Sequence, residues 1–145
     1  MKLDTTTFDA HYETGVLWQD LQHKELIDRF NILSDQNFKT INPKLFTSTT
    51  GFLVMYSHHH LTLEEAYMEK YEYPDTEFHK KAHKEFIKML KDFRKNHNSF
   101  SQNAVDKLLA DIKEWILGHI LENDKKLGWY IRETEKKILL RKTTN

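Results

Sequence analysis

The chain has 145 residues, 39% of them apolar and 30% charged, a composition that suits one soluble globular domain and leaves no room for a second large core. Its 22 basic residues balance 22 acidic ones, so no overall field draws it to nucleic acid or an anionic membrane. The absence of cysteine excludes disulfides and Cys-held metal clusters, while only 4 glycines and 2 prolines favour long helices over a loop-rich β fold.

Residues 1–7 are polar and lack the apolar run of a signal peptide, and no apolar stretch reaches the roughly 18–20 residues that span a bilayer. A cytoplasmic protein clear of the membrane is expected. The first helix is expected over about residues 18–35, with Leu21, Leu26, Ile27, Phe30 and Leu33 on its apolar face. Asp35-Gln36-Asn37 breaks it. Asn42 and Pro43 then read as the N-cap and first turn of a second helix that runs to about residue 72. Tyr73-Pro74-Asp75 marks the next boundary, before a third helix carrying Phe78, Ala82, Phe86, Ile87 and Leu90. After the loop at residues 96–99, a fourth helix begins near Ser101 and carries Leu108, Ile112, Trp115, Ile116 and Ile120. A charged helical tail follows Gly128, and its segment 134–141 is expected to cap the bundle. The pattern predicts an all-α fold, an antiparallel up-down four-helix bundle with a short N-terminal arm and a C-terminal helical tail. Residues 1–145 are read as one domain, with the bundle at about residues 15–130.

Nine histidines are many for this length, and their placement is the informative feature. His23, His60, His79, His83 and His119 fall on the apolar stripes of their helices, so each of the four helices aims at least one imidazole inward. A lone inward histidine is usually a hydrogen-bonded core residue. Five from four helices need a shared partner away from water, and a metal ion supplies one. Glu64 follows His60 by four residues, about 40° round the helix, so both reach one centre, and His79 and His83 share that spacing. Asp124 follows His119 by five, which on a regular α-helix swings it off the histidine face. To join the site, the chain must loosen or end its helix after His119, for which Gly128 offers a nearby weak point. Five imidazoles and two carboxylates exceed one tetrahedral metal and suit two ions bridged by the two acids.

Two rival metal motifs fail on the letters. Lys80 follows His79, so the His-Glu-x-x-His of a zincin is absent, and no histidine has a glutamate three residues before it, as ferritin-like sites require. His11, His58, His59 and His97 match no ligand pattern and are read as surface residues or supports.

The order and spacing of these residues resemble hemerythrin in its single-domain bacterial form, over about residues 15–130. The resemblance rests on Gly15 to His23 with its Asp20-x-Gln22-His23 ending, His60 with Glu64 and Glu65, Met68, Tyr73-Pro74, His79-x-x-x-His83 and His119-x-x-x-x-Asp124. It implies a non-haem centre of two iron ions that binds dioxygen reversibly in a redox step. By motif position, His79, His83 and His119 would hold one iron. His23 and His60 would hold the other and leave it a free place, with Glu64, Asp124 and an oxo or hydroxo group as bridges. Leu26, Leu61, Trp115, Ile116 and Ile120 would line the oxygen pocket, with Leu61 standing where the family usually has Phe.

Oxygen storage, delivery or sensing is therefore the expected function, in a monomer whose ligand is dioxygen rather than nucleic acid or membrane. Two alternatives share the same centre: an oxidoreductase acting on peroxide, nitric oxide or ferrous iron, and an iron or redox sensor. The apolar pocket and the lack of a spare acid–base pair on the inward faces favour binding over catalysis.

Overall fold

The structure is a computed structural model that describes residues 12–35 and 42–144. His11, most of the N-terminal arm and residues 36–37 of the expected break lie outside the described residues. Helices α1 (Leu17–Ser34), α2 (Pro43–Lys70), α3 (Thr76–Asn96) and α4 (Gln102–Glu114) pack in sequence, and α4 returns against α1 to close an all-α bundle. From α4 the chain runs on without a break through a π-helical segment (Trp115–Asp124) into α5 (Lys125–Thr144).

The helix starts follow local chemistry. Asn42 caps α2 by accepting from the Lys44 N–H at 2.9 Å, with Pro43 pre-set for the first turn. Ser101 caps α4 by accepting from the Ala104 N–H at 3.0 Å. Ahead of α1 the Asp20 carboxylate reaches back to the N–H groups of Thr14 and Gly15, at 2.7 and 3.2 Å, and fixes the entering chain. Gly15 sits there at φ +83°, and a Cβ would press on the Arg132 side chain at 2.8 Å, so this turn requires glycine.

The inward stripes form two apolar layers. Leu26, Ile27, Phe30, Leu53, Phe86, Leu90, Leu108 and Ile112 belong to the larger core, while Val16, Met68, Tyr73, Leu127 and Ile131 pack separately. The five buried histidines, Glu64 and Asp124 fall along the chain between residues of these two groups, so apolar side chains lie on both sides of the polar layer. Burial of that area supplies the main driving force for closing the bundle.

Three expected core residues lie outside it: Leu21, Phe78 and Ile87 are 58%, 65% and 37% exposed. Each is a single apolar residue beside a stripe that polar groups complete, Gln19 and His23 on α1 and His79 and His83 on α3. The tail also departs from expectation. Its segment 134–141 continues α5, and Leu139 and Leu140 stay exposed rather than capping the bundle. The first half of α5 is fastened through buried Leu127 and Ile131, a 2.7 Å hydrogen bond from the Tyr130 hydroxyl to the Tyr71 carbonyl, and a 2.9 Å hydrogen bond from the Tyr71 hydroxyl to Glu135.

Candidate metal centre

All seven residues expected at the site converge, and all are buried. Their donor atoms form two groups: Glu64, His79, His83, His119 and Asp124 in one, and His23, His60, Glu64 and Asp124 in the other. Only the two carboxylates belong to both. Within each group the atoms lie within 4.8 Å of one another.

Every imidazole presents Nε2 to a carboxylate. Asp124 Oδ2 faces His23 at 2.8 Å and His60 at 3.1 Å, while its Oδ1 faces His79 at 3.1 Å and His119 at 2.8 Å. Glu64 Oε1 faces His79 at 2.9 Å and His83 at 3.0 Å, and its Oε2 faces His60 at 3.2 Å. Glu64 and His60 come together as the four-residue spacing predicts. Asp124 arrives by another route.

The π segment is that route. Its i→i+5 hydrogen bonding brings a residue nearly over the one five places earlier, so Asp124 rises onto the face of His119. The helix loosens without ending, and Gly128 takes no part in the loosening. A Cβ on Gly128 would come within 2.7 Å of both Gln19 Oε1 and Thr14 Cβ, so the glycine serves close packing of α5 against α1.

A second ring of side chains holds the first. Gln19 Nε2 donates to Glu64 Oε2 at 2.8 Å and to the Asp124 carbonyl at 3.3 Å, tying the two carboxylate residues together. The His60 Nδ1–H donates to Gln22 Oε1 at 2.6 Å and the His83 Nδ1–H to Glu65 Oε2 at 2.9 Å. With Nδ1 committed as donor, Nε2 of each ring is the atom left to hold a cation. The Asn123 amide lies 3.1 Å from His119 Nδ1, and with its oxygen turned inward it gives the same support. Of the other histidines, read as surface residues or supports, His58 and His59 lie on the surface, His97 stacks on Phe93, and His11 is outside the described residues.

Whether these residues fit a metal is decided by one contact. The 2.8–3.2 Å separations suit hydrogen bonds, and they equally suit neighbouring ligands about 2.1 Å from a common ion, which lie about 3 Å apart. His119 Nε2 and Asp124 Oδ1, 2.8 Å apart, are nonetheless both buried without a hydrogen-bond partner, because their contact is not directed as one. Two such orphaned atoms in a dry interior are costly, and a cation between them satisfies both. The donor set fits.

The charges agree. Burial opposes a proton on His60 and His79, yet the Glu64 and Asp124 carboxylates outweigh it and push their pKa values up to about 10 and about 9. Burial and mutual repulsion oppose charge on Glu64, but His60 and His79 outweigh both and hold its pKa well below the usual range. Asp124 is likewise held low, against burial, by His119, His23 and His60. Burial keeps His119 below its ordinary value despite Asp124. Raised imidazoles stabilise the fold fully below about pH 6.5 and lose that contribution as pH climbs through about 9–10. Depressed carboxylates contribute above their ordinary range and lose it as pH falls. The metal-free protein should therefore melt highest in mildly acid solution and progressively lower toward pH 10. Metal must displace the protons on His60 and His79, so loading at pH 7 should release about two protons per chain. Indicator dye in weak buffer would measure them, and loading without proton release would contradict these assignments.

Among the described residues, no helix is long and apolar enough to cross a membrane. The family model described as the hemerythrin HHE cation binding domain matches residues 14–129. A protein named bacteriohemerythrin from Campylobacter jejuni is 28% identical over 118 residues, covering 81% of this chain and 89% of its own. One of the same name from Methylococcus capsulatus is 28% identical over 119 residues, 82% of this chain and 90% of its own. Another, from Pseudomonas paraeruginosa, is 28% identical over 111 residues, 77% of this chain and 71% of its own. The matched span runs from the turn that Asp20 fastens to the start of α5, and it holds both groups of donor atoms. With a helical bundle built around them, the chain belongs to the hemerythrin family.

Proposed function

We propose that this chain binds dioxygen reversibly at two non-haem iron ions held by the seven buried residues. The reading is carried by the two groups of donor atoms that share Glu64 and Asp124. His79, His83 and His119 would complete one site and His23 and His60 the other, with both carboxylates bridging. The second site has one imidazole fewer, so the exogenous ligand would enter there. Bound as a ferrous pair, the irons would supply the two electrons that make oxygen binding a reversible redox event.

The protein's part is to hold, orient and exclude. Gln19, Gln22 and Glu65 fix the carboxylates and ring tautomers before any ligand arrives. Leu26, Leu61, Ile116 and Ile120 are at most 2% exposed, and with Trp115 they belong to the apolar core beside the site. Such walls slow the entry of water and protons, which favours release of the ligand unchanged over its reduction. Leu61 contributes this without the bulk of the family's usual Phe.

The test is optical. Anaerobically reduced, iron-loaded protein should develop a visible absorption band on exposure to oxygen and lose it when oxygen is removed, through repeated cycles. Irreversible oxidation in the first cycle, or continuous oxygen consumption with an added reductant, would replace binding with an oxidoreductase.

A further inference from the structure

A buried hydroxyl lies beside the site, beyond the seven ligand-type residues. Tyr56 precedes His60 by one turn of α2, is 4% exposed and stacks on the His60 ring, with centroids 4.8 Å apart and planes 10° from parallel. Trp115 stacks in the same way on His119, at 3.9 Å and 14°. These two aromatics are joined: the Trp115 Nε1–H donates to Tyr56 Oη at 3.2 Å. One joined pair thus lies against an imidazole from each group of donor atoms.

The direction of that bond matters. An indole nitrogen only donates, so Tyr56 Oη is the acceptor and its own proton must point elsewhere. Among the described residues no acceptor takes that proton. A buried hydroxyl held in place with an unused donor is costly unless a partner arrives. The ring it stacks on belongs to the group with fewer imidazoles, the side on which the proposed function would place the exogenous ligand.

We propose that Tyr56, pinned by Trp115, donates a hydrogen bond to the small ligand bound on the His23–His60 side and so favours anionic ligands over neutral ones. This rests on the two-iron reading above. On this reading the expected pocket, which already includes Trp115, gains Tyr56, whose hydroxyl proton is unspent.

Azide is the probe, added to the oxidised, iron-loaded full chain, with wild type and Tyr56→Phe compared. Azide affinity comes from an absorbance titration, and the infrared stretch of bound azide is recorded in H2O and in D2O. A hydrogen bond to a charged ligand predicts affinity roughly tenfold or more weaker in Tyr56→Phe. It also predicts a solvent-isotope shift of the azide band in wild type that the variant loses. Packing alone would not produce that isotope shift. Iron content and melting temperature verify that the variant is intact. Two irons with bound azide but no isotope shift in wild type would overturn the role of Tyr56 and leave the metal reading standing, even if the variant failed to fold. An equal affinity and an equal shift in both proteins would overturn it as well. A wild type that takes up no iron pair would instead remove the two-iron reading, and this inference with it.

Discussion

Asp124→Ala is expected to empty at least one metal site and to destabilise the bundle severely. The Asp124 carboxylate is fully buried, faces four imidazoles and, among the described residues, is the one acid that touches His23 and His119. Removing it leaves those rings without their charge partner in a dry interior, which costs about 3–5 kcal/mol. For a chain of this size that lowers the melting temperature by roughly 10 °C. Metal analysis should fall from two irons per chain to one or none. Asp124→Asn keeps the shape but not the charge, so it should lose metal with a smaller loss of stability. Calorimetry beside metal analysis separates the two effects. An Asp124→Ala protein that melts with wild type and still carries two irons would show that the carboxylate is not the bridge.

The second large effect concerns the walls. Leu26 and Ile116 are fully buried and carry no ligand atom, so Leu26→Ala and Ile116→Ala should retain both irons. Each opens space for water beside the site, and the oxygen-dependent absorption should decay several-fold faster than in wild type. A core truncation costs roughly 2–5 kcal/mol, so the rates must be compared at a temperature where each variant remains folded. Decay no faster than wild type, with two irons in place, would place the pocket elsewhere in the bundle.

The sequence carried most of this architecture because helical periodicity and ligand spacing coincide. His60 with Glu64 and His79 with His83 need only a regular helix to share a face, and α2 and α3 are regular there. Asp124 needed more. The five-residue step signalled that the helix must deform, but the letters left open whether it would loosen or end, since a π segment has no strong propensity signature. Gly128 drew attention as a weak point because a glycine's reason lies in what approaches it, here Gln19 and Thr14 from across the bundle. The supports were hidden for the same reason. Gln19 sits four residues before His23 on the same buried face, and Tyr56 four before His60, and helical spacing can place each inward without naming its partner. Polar partnership is a tertiary fact. The tail shows the converse, since segment 134–141 was expected to cap the bundle and its Leu139 and Leu140 stay exposed.

The most direct measurement is diffraction from crystals of iron-loaded protein, with data collected at the iron absorption edge. Two anomalous peaks per chain are expected within the polar layer. One should lie against Nε2 of His79, His83 and His119, the other against Nε2 of His23 and His60, with Glu64 and Asp124 in contact with both. A single peak, or two peaks that do not share these carboxylates, would contradict it.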